Sequence, residues 1–156
     1  MANKGKVIVL EDNFDSVRKA ITGAMLMDSA KAGGHVVEGH AKINASKGGK
    51  EHLNIRTGHL VNAINVSEGK QTPTRAWADI GPGAVIYARI HELGGIIKPV
   101  AAKMLSWVNE AGERIFANLV HIPARPYLRP ALDENTDKIV SAVETEIWRN
   151  LDNATS

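Results

Sequence analysis

Residues 104–132 read MLSWVNEAGERIFANLVHIPARPYLRPAL. Two runs rich in β-branched and aromatic residues, Met104–Asn109 and Arg114–Ile122, flank the turn Glu110-Ala111-Gly112, which is the pattern of a β-hairpin. Behind them Pro123 and Pro126 hold the chain extended, because each proline also disfavours the helical region at the residue before it. Pro130 then suits the first position of a helix, where its missing N–H costs nothing. This one stretch carries the change from paired strands to helix on which the fold class rests.

Working outward from it, Leu128, Leu132, Ile139, Val143, Ile147 and Leu151 line one face of a helix expected over about 130–151, a span of roughly 33 Å at 1.5 Å per residue. Upstream, Ile96–Pro99 is a further strand candidate. Val85, Ile86, Ala88, Arg89, Ile90 and Leu93 suit a short helix closed by Gly94-Gly95. Ile64–Glu68 and Arg75–Ile80 alternate apolar with polar residues around the turn-like GKQTPT, a second hairpin. Thr57 can cap a short helix through Ile64. Residues 44–56 are polar with Gly48-Gly49, which predicts a mobile loop.

Phe14, Val17, Ile21, Met25, Ala32, Val36 and Ile43 form a stripe on a helix expected over about 13–43, with Asp12 or Asn13 as N-cap. Gly23, Gly33, Gly34 and Gly39 each cost about 1 kcal/mol relative to Ala inside a helix. A kink or break near Gly33-Gly34 is therefore expected, leaving two pieces. Val7–Leu10 is a short strand candidate. Helices at both ends around hairpin-linked strands predict one α+β domain over 1–156, with a largely antiparallel sheet packed by the two long helices.

The chain has 156 residues, 44% of them apolar and 23% charged, an ordinary soluble composition. The absence of cysteine excludes a disulfide framework, a thiol nucleophile and a thiolate metal site. The apolar run Val7–Leu10 is far short of the 7–15 residues of a signal peptide or the ~20 of a membrane span, so a soluble, non-exported protein is expected. The net charge of +2 is unevenly spread: residues 1–130 carry 17 basic against 11 acidic side chains, whereas 131–156 carry 2 against 6. That polarity reads either as an acidic solvated helix face or as an acidic surface of one copy meeting a basic surface of the next.

No catalytic constellation stands out. His35 and His40 are five apart, which points them in different directions on a helix, and His91-Glu92 is not followed by the second His of HExxH. No metal or cofactor is expected. No serine lies in a GxSxG elbow, and KGGK and GPG are not phosphate loops. Glu92 as a general acid or base needs a second group that the sequence does not nominate. Its other reading is a structural carboxylate, bonded to backbone amides or to Arg125 or Arg129. Arg125, Tyr127 and Arg129 alternate in a proline-stiffened strap, which places them on one face of an extended segment. Either that strap is an interface, or Tyr127 and Leu128 pack inward and the arginines pair locally.

Three segments carry a resemblance. They are Thr57-Gly58-His59-Leu60 with Ala63-Ile64, then Tyr87-Ala88-Arg89-Ile90-His91-Glu92-Leu93-Gly94-Gly95, then Ile122-Pro123-Ala124-Arg125-Pro126-Tyr127-Leu128-Arg129-Pro130-Ala131-Leu132. In this order they resemble the neck, tail-component and tail-completion proteins of long-tailed bacteriophages and prophages. That pattern is TG-x-L-x-x-S-I, then Y-A-x-x-x-E-x-G, then P-A-R-P-F-L-x-x-A; here Asn62-Ala63 replaces the usual polar-Ser pair, and Tyr127 stands where Phe is common. The resemblance implies a non-enzymatic virion morphogenesis protein at the head–tail junction or tail end, found in the virion and, during assembly, in the host cytoplasm. It implies a ring, often a hexamer, with other neck or tail proteins as partners, no cofactor and no membrane. The expected interface sets the basic body and strap 123–130 against the acidic C-terminal helix or an adjoining ring protein. The alternative is a small DNA-binding protein at the portal, against which the weak charge and few aromatics argue. A hydrolase built on Glu92 and a histidine is a third reading.

Overall fold

The computed structural model describes residues 21–49, 52–54, 57–109 and 111–155. The expected strand Val7–Leu10, the caps Asp12 and Asn13, and the expected helix over 13–20 lie outside them. Helix α1 (Gly23–Ser46) starts after an extended Thr22, whose side chain accepts from the Met25 N–H at 3.3 Å. A Ser/Thr oxygen at this position satisfies one of the orphan amides of the first turn.

The helix is continuous through Gly33-Gly34, in place of the expected break. The two glycines are sites of close approach. A Cβ on Gly33 would lie 2.9 Å from Val143 Cγ2 and 3.2 Å from Ile139 Cγ2; one on Gly34 would lie 3.0 Å from Val66 Cγ1. Gly33 thus admits the C-terminal helix on one side and Gly34 admits a hairpin on the other. Packing offsets the propensity cost, as tertiary context commonly does.

That hairpin is β1 (Asn65–Thr72) with β2 (Arg75–Gly81), antiparallel, with a register shift between Glu68 and Gln71. The strands run further than the sequence pattern suggests, which shortens the turn to Pro73-Thr74. A Cβ on Gly69 would stand 2.5 Å from the Trp77 carbonyl oxygen, so only glycine fits that irregularity. Lys31 on α1 donates to Glu68 and ties helix to hairpin. Between α1 and β1 lies the short α2 (His59–Ala63), where Gly58 with φ +71° holds the cap position and Thr57 Oγ1 accepts the His59 N–H at 3.4 Å. The expected loop 44–56 begins only at Lys47, and Leu53 within it is buried.

Helix α3 (Ala88–Leu93) leads into β3 (Gly95–Ile97), which pairs with β6 (Val120–Ile122). Inside that pair sits a second one, β4 (Leu105–Val108) with β5 (Arg114–Ala117). The expected single strand over 114–122 is therefore two strands with different partners. Residues 94–123 form an arm: an outer ribbon enclosing an inner hairpin. All pairings are antiparallel, and the described strands make three two-stranded ribbons.

The expected helix over 130–151 is also two elements, α4 (Leu128–Asp133) and α5 (Thr136–Thr155). Pro130 is the third residue of α4, still within the first turn, where no intrahelical donor is needed. Asn135 separates the two; its side chain is buried, donates to the Ala131 carbonyl and accepts from Lys138. Leu132, expected on the buried stripe, is exposed, because the stripe is interrupted at this junction. The architecture is α+β, with long helices α1 and α5 packed together and α1 laid on β1–β2. The core gathers Val37, Ala41, Ala45, Leu53, Ile64, Tyr127 and Ala131.

Candidate functional site

The C-terminal end of α3 and the strap 123–129 form one unit. Glu92 Oε2 accepts the backbone N–H of Tyr127 at 2.8 Å and of Leu128 at 3.0 Å, while Oε1 accepts that of Arg129 at 2.9 Å. These are first-turn amides of α4, which have no intrahelical acceptor. A carboxylate there makes charge-assisted bonds and sits at the positive end of the helix. Of the two roles the sequence allows for Glu92, the geometry contains the structural carboxylate bonded to backbone amides.

Two neighbours complete the grip. The Arg125 N–H donates to the His91 carbonyl at 2.7 Å. Gly94 has φ +69°, and a Cβ there would lie 2.7 Å from Ala124 N and 3.0 Å from the Ile122 oxygen. Gly94 is therefore both a positive-φ helix exit and a close-approach point, the two needs that favour glycine. Gly95 opens β3.

The strap does not present one face. Tyr127 is 1% exposed and packs in the core, Leu128 packs beside it, and Arg129 is exposed. The two-residue alternation fails because the chain turns helical at Leu128. Burial, with the adjacent Glu92 charge, pushes the Tyr127 hydroxyl up to about 12. Asn44 on α1 donates to the Tyr127 carbonyl at 3.2 Å, a contact that local sequence pattern does not signal. Pro123, Ala124 and Pro126 are exposed between the anchored residues.

The first segment of the resemblance joins the other two across a half-open cleft of about 830 Å³. Thr57, Gly58, His59 and Leu60 line one wall, Tyr87, His91 and Arg125 another. His59 Nδ1 lies 3.1 Å from the Tyr87 hydroxyl, and the Tyr87 ring meets His91 edge-on at 5.7 Å between centroids. Burial and the Arg125 charge hold His91 below the usual imidazole range. Its Nδ1 is buried with no hydrogen-bond partner. Leu53, Trp107 and Asn109 also line the cleft. Leu53 could have been found as a lone leucine in a polar loop, whereas Trp107 is brought in only by the fold of the arm. Among the described residues, no three His, Asp or Glu side chains gather closely enough to hold a metal ion. Among the same residues, no helix is long and apolar enough to cross a membrane. Comparison of the chain with protein-family models, curated proteins and solved structures finds no match.

Proposed function

We propose that this protein is a non-enzymatic structural component of a tailed-bacteriophage virion, acting at the head–tail junction or tail end as one member of a ring. The carrying observation is the arm. All three residues of β3 are exposed, and Ile96, Trp107, Val108, Phe116 and Leu119 stand open to solvent within it. A two-stranded ribbon alone in water is marginal, and apolar surface gathered in one segment is characteristic of an interaction site. The base of the arm, by contrast, is fixed by Glu92, Gly94 and the strap. A firmly rooted segment with an apolar surface suits assembly with other subunits. Glu92 spends both its oxygens on backbone amides, which supports a scaffold role for the His91-Glu92 segment.

Light scattering across a concentration series, at low and moderate salt, tests this reading. A closed oligomer near six copies is the expected result, with Trp107→Lys plus Phe116→Glu shifting the mass to monomer while the helical circular dichroism is unchanged. A wild type that stays monomeric and binds DNA with steep salt dependence overturns it in favour of the DNA-binding alternative.

A further inference from the structure

We infer that the arm of one copy docks on the outward face of α5 of the next copy, with Lys98, Val100 and Lys103 set against Asp137, Glu144 and Trp148. This inference rests on the ring reading above and names its interface. On α5, Val143 and Ile139 face Gly33 of α1, so the opposite face looks outward. On that outward face Trp148 is 65% exposed and Val140 48%. Asp137, Ser141 and Glu144 lie beside them at three-, four- and seven-residue helical steps, all exposed. A tryptophan open to water on a helix, with the Glu144 carboxylate one turn before it, is the composition of an interface anchor.

The arm carries the complement. Over residues 96–104 Val100 is fully exposed and Met104 43% exposed, and Lys98 and Lys103 are exposed with no carboxylate in that segment. Neither lysine, nor Asp137 or Glu144, has an ion-pair partner among the described residues. Among the described residues, cations without an ion-pair partner thus stand beside apolar groups on one part of the chain, and anions without one stand beside apolar groups on another. A lysine can also sit over the Trp148 face, a cation–π contact.

The partner is a second copy because both halves of the match lie on one chain. Charge favours arm against α5: arm against arm would oppose Lys98 and Lys103 to themselves, and α5 against α5 would oppose the carboxylates, each a like-charge penalty. Unlike patches repeated around a rotation close into a ring. In the strap 123–130, expected from sequence to be the basic partner of the acidic helix, Tyr127 is buried and the amides of residues 127–129 are bonded to Glu92, so this inference sets the arm rather than the strap against α5.

The absence of native cysteine makes the test direct. Val100→Cys and Ser141→Cys are prepared separately, mixed and oxidised. The expected product is a mixed Val100–Ser141 disulfide, at least tenfold over either homodimer, and a ladder ending at the ring size when both substitutions share one chain. As a second readout, Lys98→Glu with Lys103→Glu and Asp137→Lys with Glu144→Lys each weaken self-association at least tenfold, and mixing the two double variants yields heterodimers. An oligomer that cross-links instead as Val100 homodimers, Ser141 homodimers or not at all overturns this interface and leaves the ring reading standing. A chain that is monomeric throughout, with no mixed disulfide, overturns both.

Discussion

Body and arm differ in whether they enclose an apolar core of their own. In the body, α1 is covered by α5 where Gly33 admits Ile139 and Val143, and by the β1–β2 hairpin where Gly34 admits Val66. Ala41, Ala45 and Ile64 are almost wholly excluded from water there. In the arm, strands of three or four residues pair only with each other and leave Ile96, Val108 and Phe116 exposed. The body's stability is internal to the chain, whereas the arm's apolar area gains its burial free energy, about 25 cal/mol per Å², only when something covers it. Glu92 sits on the boundary and belongs energetically to the body.

The sharpest challenge to that division is at the boundary itself. Glu92→Ala strands three amides, so we expect a loss on the order of 3 kcal/mol in urea unfolding. Glu92→Gln, which keeps one acceptor oxygen, should lose less. If Glu92→Ala unfolds like wild type, the arm's base is not fastened as described.

Within α1 the division makes opposite predictions for two glycines. Gly33→Val forces Ile139 and Val143 apart and should cost about 2 kcal/mol by overpacking. A methyl group on Gly39 would meet no atom within 4 Å, so Gly39→Ala should stabilise by about 0.5–1 kcal/mol. Thermal melts distinguish these signs, since 1 kcal/mol moves the midpoint about 2–4 °C at this size.

A pH titration sharpens the account of the core. Tyr127 is raised from 10 to about 12 in the fold, so the folded state holds its proton more tightly than the unfolded chain. Its contribution is fully present below pH 10 and is lost as pH climbs from 10 toward 12, by at most about 3 kcal/mol. Tyr127→Phe should flatten that alkaline slope when stability is followed by urea unfolding at each pH. The smallest effect belongs to the arm: Phe116→Ser, at an exposed site, should change monomer stability by under about 0.5 kcal/mol. A large loss there would place Phe116 in the folding core and erase the distinction between the two regions.

Much of the fold is legible from local pattern. The β1–β2 hairpin, the helix closed by Gly94 and the amphipathic C-terminal helix follow from alternation, glycine and 3.6-residue spacing. The failures share a cause, since each depends on residues distant in sequence. Gly33-Gly34 reads as a breaker until α5 and β1 are brought against it. The strand over 114–122 reads as continuous until β3 claims 120–122 and β4 claims 114–117. Asn135 looks like any polar residue in a helix until its burial divides α4 from α5. At the site, the backbone-bonded role of Glu92 is readable because a carboxylate and a proline-rich passage needing acceptors are both present. Tyr127 pointing inward is not, because its direction is set by where α4 begins.

The arm has one further property, which concerns reach. Its two ends meet at a fixed base, Gly95 paired with Ile122 and Glu92 bonded to residues 127–129. What lies between is a closed excursion, so its length is decoupled from the rest of the molecule. Doubling such a loop adds only about 0.6 kcal/mol of closure entropy. The body can therefore stay constant while the excursion lengthens or shortens, a spacer whose extent can be matched to whatever distance must be bridged.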